Sequence, residues 1–344
     1  MMVQLFPLRH HVLHSGVGGK LPHHYNDDVA NYYASLAKGL DNLERAAAAD
    51  FMSFEFISSG IDLLRSAHSG ALLLIETLRL PVSTNGEEWL NEYMDETVKL
   101  LDVCNVLKSA GSGLEQYQNL VESAIRAVDV PGNVRYQVHR GLHTLNACRQ
   151  EMLQIETEHR ILMETKIEAA GKLTVNLGDK HVENKFVKWN GFWGVLFALK
   201  NMTAYICRLL LCAVVYIGPI PALNAELVSV KSLWSASLVR LHQSVTEEIG
   251  KTQSGRKCPI MFSSDVELLE GALADLRTQL QPVMRGAGFR NDDGEKFRQT
   301  IQSLKKGSQK LQTGVETVDW HINDLFDEIV EGRNKLLNLF SASR

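Results

Sequence analysis

The sequence has no alternating apolar–polar run of strand length, which leaves helix as the regular element open to it. Net charge is also scarce. At −4 over 344 residues, nucleic-acid binding through bulk electrostatics is disfavoured. With 45% hydrophobic and 22% charged residues, the composition is that of a soluble protein and not of a polytopic membrane protein. Cysteine is sparse, odd in number and scattered, at Cys104, Cys148, Cys207, Cys212 and Cys258. That pattern fits a reducing compartment. Cys207 and Cys212 match neither zinc-knuckle nor Cys-x-x-Cys spacing, and Arg208 stands between them. No metal and no cofactor is expected.

The amino-terminal stretch lacks acids as far as Asp27. It holds two strong bases, Arg9 and Lys20, with five histidines, little serine and no continuous apolar core of a secretory signal. Residues 1–30 therefore read as a flexible tail. "GVGGK", Gly16 to Lys20, is not a phosphate loop: the glycine of the tight turn is missing and Leu21 stands where magnesium needs a hydroxyl. His10, His11, His14, His23 and His24 are tail histidines, which bind metal only adventitiously.

What the chain does have is helical periodicity. Apolar residues recur at three- and four-residue steps through Phe54, Ile57, Ile61, Leu64, His68, Ala71, Ile75 and Leu78, one stripe of an amphipathic helix that stops at Pro81. That helix, or a preceding one, begins near Asn31. A second stripe, Leu90, Met94, Val98, Leu101 and Cys104, follows candidate caps at Ser83, Thr84 and Asn85. Gly111 and Gly113 are expected to break it, with a short helix from Leu114 to Ala127 beyond. A fourth helix runs from Val134 toward Ala170, and another from about Leu223 to Ile249.

Val266, Leu269, Leu273, Leu276, Leu280 and Val283 make one more stripe before the most regular of all, from Phe297 to Leu339. The last helix would be roughly 65 Å long. Its central positions, Leu311, Val315, Val318, Ile322, Leu325 and Ile329, form a coiled-coil-like interaction seam, paired within the chain by an antiparallel hairpin or with a partner helix. Ser308 and Gly332 interrupt that seam. The fold class is all-α, an elongated bundle of long amphipathic helices with a C-terminal antiparallel hairpin. The glycine-marked stretch 171–190 is the expected linker between bundles at 31–170 and 191–344.

No catalytic constellation emerges. Glu88, Glu92 and Glu96 lie along one helix face, as a solvated face does. His68 and His159 fall on apolar stripes, the positions of core or boundary histidines. Asn201 heads a formal glycosylation sequon inside an apolar stretch and is discarded. Nothing places a nucleophile beside a base, so the chain reads as non-enzymatic.

The segment "LPVSTNGEEWLNEYMDETVKLLDVCNVLKS", Leu80 to Ser109, resembles the signature region of the plant BYPASS family. The matching positions are Leu80 and Pro81 through Ser83, Trp89, Tyr93, and Val98 to Asn105, including Leu101, Asp102, Cys104 and Asn105. Tyr205, Ile206 and Cys207 match a second family segment, and "LFPLRH" near the start is a weaker third. The resemblance implies a plant regulatory protein without catalytic activity that restrains a root-derived mobile signal arresting shoot growth. A related branch is connected with the exocyst and polarised secretion, which makes exocyst subunits the implied protein partners of the alternative, a membrane-peripheral tether. Neither nucleic acid nor a small-molecule ligand is expected as a partner. The expected place is the cytoplasm with endomembrane association; some members are labelled plastidic, and the plastid stays open.

One stretch, Trp193 to Gly218, is apolar enough to raise the question of a membrane, with Trp193, Leu196, Leu210 and Val214 as the contacts. Pro219 and Pro221 end its helical part, and Lys200 and Arg208 lie within it. A central Arg or Lys costs roughly 2.5–3.5 kcal/mol on insertion scales against about 0.3–0.6 returned by each large apolar residue. Snorkelling lowers that cost, so spanning, interfacial and buried readings all stay open, the buried one placing both bases at the protein surface.

Overall fold

The computed structural model describes residues 23–78, 87–129, 134–171, 192–215, 223, 232–253, 263–286 and 293–342. Eight helices make up the described residues, with no strand among them. They are α1 (His23–Asp50), α2 (Phe54–Thr77), α3 (Glu87–Asp129), α4 (Val134–Gly171), α5 (Phe192–Val215), α6 (Leu233–Gln253), α7 (Ser263–Met284) and α8 (Asp293–Ala342). The all-α class read from the periodicity is the one observed.

Local chemistry sets the start of α2. Ser53 is its N-cap, accepting the Phe56 N–H at 3.1 Å, and Glu55 lies in the first turn. The stripe that follows is core: Ile57, Ile61, Leu64 and Ala71 are fully buried. α1 folds back antiparallel, with the Tyr32 hydroxyl donating to the Ala67 carbonyl at 3.2 Å and Gly39 lying against Leu63. It begins at His23, ahead of the expected Asn31. The caps expected at Ser83, Thr84 and Asn85 lie outside the described residues, as do residues 1–22.

Gly111 and Gly113 do not end α3, which runs unbroken for 43 residues. A helical glycine costs about 1 kcal/mol relative to alanine, and packing on both flanks outweighs it. At Gly113 an added Cβ would stand 3.3 Å from Ile155, so the missing side chain lets α4 approach closely.

α8 is the long brace, 50 residues or about 75 Å. Three neighbours share it. α7 pairs with it antiparallel, through Lys310–Asp265 at 2.6 Å and Gln279–Thr300 at 2.9 Å. α3 also runs antiparallel to it, through Lys305–Asp129, Lys108–Asn323 and Arg333–Met94. α2 runs parallel to it in constant register: His321 meets Asp62 at 2.9 Å and Ser69 meets Glu328, each pair 259 residues apart. A seven-residue repeat serves parallel and antiparallel partners alike, and α8 has both.

α5 lies in the middle. It packs on α2, α3 and α4 and touches α6 through Phe197–Trp234 and Tyr205–His242. Buried residues of all eight helices join one hydrophobic cluster. The helices before and after 171–190 thus share a core: α6 packs on α1, and α8 on α2 and α3.

Candidate functional site: the signature helix and its polar cluster

The amino-terminal half of α3 carries the described part of the signature. Trp89 is sealed at 1% exposure, edge-on to Phe192 of α5 at 5.6 Å and to Phe340 of α8 at 5.5 Å. It ties three helix ends together. Cys104 is equally buried, Leu101 is half-buried, and Asp102 and Asn105 are exposed. Leu80 and Pro81 lie outside the described residues.

Beneath Trp89, four helices bring polar groups into the core. His68 of α2 has its Nε2 3.1 Å from the Thr203 Oγ1 of α5 and its Nδ1 3.5 Å from the Tyr93 hydroxyl. Burial lowers the His68 pKa to about 3, so the ring is neutral. Burial likewise raises the Tyr93 phenol. Arg333 reaches in from α8, donating to the Met94 carbonyl at 2.6 Å and to the Thr97 hydroxyl. Such charge-assisted bonds to backbone and hydroxyl fix the rotation of α8 against α3.

The bases of α5 are not both surface charges. Lys200 is half-buried, 2.7 Å from Glu92 and 3.7 Å from Glu96. Burial pulls its pKa down, but hydrogen bonding and charge from Glu92 and Glu96 more than offset this and leave it raised. Glu96 is itself only 7% exposed, also bonded to Lys99 at 2.8 Å, and its second carboxylate oxygen is buried without a hydrogen-bond partner. The expected solvated acidic face is corrected here: its last member is the counter-charge that lets a lysine sit in an apolar helix.

A hydroxyl beside an imidazole, as in Thr203 and His68, is the geometry of an activated nucleophile. Here both side chains are at most 2% exposed, sealed from any substrate. The four cysteines among the described residues are buried too. Burial pushes Cys104 and Cys148 up to about 12 and Cys212 to about 11, and raises Cys207 as well, against the lowered pKa that reactive cysteines need. No group of three or more His, Cys, Asp or Glu side chains arranged to hold a metal occurs among the described residues. Asn201 is buried, its amide donating to the Phe197 carbonyl at 2.7 Å.

The family profile described as Protein BPS1 matches residues 62–339. The chain belongs to the BPS1 family. Among curated proteins it is similar to Protein BPS1, chloroplastic, of Arabidopsis thaliana, at 24% identity over 313 residues, 89% of this chain and 82% of that protein. It is also similar to UPF0496 protein 4 of Oryza sativa, subspecies indica and japonica, at 28% identity over 240 residues in each, 69% of this chain. That match spans about half of the rice proteins' length, 51%. No solved structure matches the chain.

In this BPS1-family chain the residues of the expected seam all point inward. Leu311, Val315, Val318, Ile322, Leu325 and Ile329 are each at most 8% exposed, packed against the protein's own helices. The two interruptions serve that packing. Ser308 accepts a hydrogen bond from Gln118 of α3 at 3.2 Å, and at Gly332 a side chain would overlap Leu72 of α2. The expected membrane contacts are placed likewise: Leu196 is 7% exposed, Leu210 fully buried and Trp193 half-buried, while the Val214 side chain lies outside those described. Phe192–Ala213 is long and apolar enough to cross a membrane, yet 83% of its most apolar window is buried inside the protein.

Sequence reasoning found His68 as a core position but missed its pairing with Thr203, 135 residues away. It also missed Arg333. The one available signal was an arginine inside an otherwise apolar–polar heptad pattern, at the flank of the seam.

Proposed function

We propose that this chain is a non-enzymatic regulator of the BYPASS type, restraining a root-derived mobile signal that arrests shoot growth and working through the outer faces of its helices. The observation that carries this reading is the family match over residues 62–339, which runs through every helix from α2 to α8. The geometry agrees with it. The polar groups gathered in the core hold helices to one another, and their sealing leaves recognition to the surface. The burial of α5 supports a regulator acting through protein contacts over a tether docked on lipid through that helix.

The test is rescue. The chain is expressed from a root-restricted promoter in Arabidopsis thaliana plants that lack the chloroplastic relative and whose shoots arrest. The expected outcome is renewed leaf growth, also in shoots grafted onto the expressing roots. Persistent arrest with normal accumulation of the protein sinks the proposal.

A further inference from the structure

With the α8 seam packed inside the bundle, a partner has to use another surface, and the outer cleft between α3 and α8 has the right chemistry. Met94, Val98 and Leu101 follow i, i+4, i+7 and form one stripe of α3. Phe326, Val330 and Leu337 form a matching stripe of α8. That stripe borders α3, because Asn323 and Arg333, on the same side of α8, are the residues that reach Lys108 and Met94. The antiparallel register that brings Arg333 to Met94 and Asn323 to Lys108 runs the two stripes side by side, with Val98 level with Val330. Val98 is 47% exposed, Val330 36% and Leu337 50%, while the other three are half-buried.

Along the same two helices, past the Lys108–Asn323 hydrogen bond, lies a cavity of about 230 Å³, with Lys108, Ser112 and Asp319 at its mouth and buried Leu107, Val318 and Ile322 at its floor. The rim of the cleft is acidic. Asp95, Asp102 and Asp327 are exposed and join no ion pair among the described residues. Met94 to Ser112 covers about 27 Å of helix, or five turns.

We infer that this cleft seats a basic amphipathic helix of about five turns from a protein partner, its apolar face on the two stripes, a large side chain in the cavity and its lysines or arginines on the three aspartates. The inference rests on the reading of the chain as a regulator that works through protein contacts. The aspartates decide the occupant. Against an anionic bilayer they repel, and two copies of this face brought together would oppose like charges.

The test uses the full chain and a fluorescein-labelled synthetic 18-residue helix with leucines on one face and lysines on its flanks, with a twin in which glutamates replace the lysines. Fluorescence anisotropy should show the lysine peptide binding at least about tenfold more tightly than its twin. Val98→Glu with Leu337→Glu, both at exposed sites and checked for helicity by circular dichroism, should weaken it about tenfold or more. Asp95→Asn, Asp102→Asn and Asp327→Asn together should weaken it and flatten its dependence on salt. Equal binding of the two peptides, or binding that none of these variants changes, overturns the inference. So does a dimer in analytical ultracentrifugation that Val98→Glu disperses, or binding to phosphatidylserine vesicles that the same change abolishes. Root rescue without peptide binding removes the cleft alone; peptide binding without rescue removes the regulatory reading alone.

Discussion

One lysine and one imidazole ring show how single residues set the terms of this core. Lys200 is tolerated in α5 because Glu92 and Glu96 meet it, and His68 is tolerated because it stays neutral. The second condition has a pH signature. The folded pKa of His68, about 3, lies below its ordinary 6.5, so as pH falls the unfolded chain takes up this proton first. The stability tied to the neutral ring is therefore full above about pH 6.5 and is lost as pH falls toward 3. Between those limits one proton is worth about 1.4 kcal/mol per pH unit. In urea unfolding followed between pH 6 and pH 4, the wild type should lose stability more steeply than His68→Gln by about that slope. Equal slopes would mean that the ring is reached by solvent and protonates in the folded protein.

At the scale of elements, the glycines separate what packs from what does not. Gly332 of α8 faces Leu72 with no room for a side chain, whereas around Gly271 of α7 a Cβ would meet nothing within 4 Å. Gly332→Val should cost about 1–3 kcal/mol or more through overpacking, well beyond any gain in helix propensity. Gly271→Ala should gain up to about 1 kcal/mol. Thermal or urea denaturation of the pair checks this, and a Gly332→Val protein as stable as wild type would show that α8 does not lie against α2 as described. The same helices show what periodicity can carry. The stripes of α2 and α8 were legible because each buries one face, and a three-four repeat records that face directly. The partner of a stripe is not recorded: nothing in the spacing of Leu311 to Ile329 says that α2 runs parallel beside it, because pairing is decided by which helices the whole chain brings near. The break expected at Gly111 and Gly113 failed for a related reason, since α4 and α8 supply packing that local propensity does not count. The members of the polar cluster stand in the sequence as unrelated letters. His68 and Thr203 sit on two stripes and Arg333 beside a third, and only the crossing of those helices makes them neighbours.

The whole molecule behaves as one core crossed by one central helix. α5 follows the stretch 171–190 in sequence but packs on α2, α3 and α4, which precede it. α6 in turn covers α1, and α8 braces α2 and α3. A chain severed between residues 171 and 190 thus leaves each half with an apolar face that the other half fills. The first half alone lacks the helix that occupies its centre, and the second contains that helix with little to cover it. Hydrophobic faces of this extent do not stay exposed in water. Coexpressed as separate polypeptides, residues 1–180 and 181–344 should copurify as a one-to-one complex with the helical content and single unfolding transition of the intact protein. Each half expressed alone should aggregate or lose most of its helix. Two halves that fold, remain monodisperse and do not associate would restore the picture of two bundles on a linker, and the central place of α5 would fall with it. The outcome also bears on the membrane question: a helix that the first half needs to complete its core is held by protein over most of its surface, and intact protein in plant extracts should then be released from membranes by alkaline carbonate.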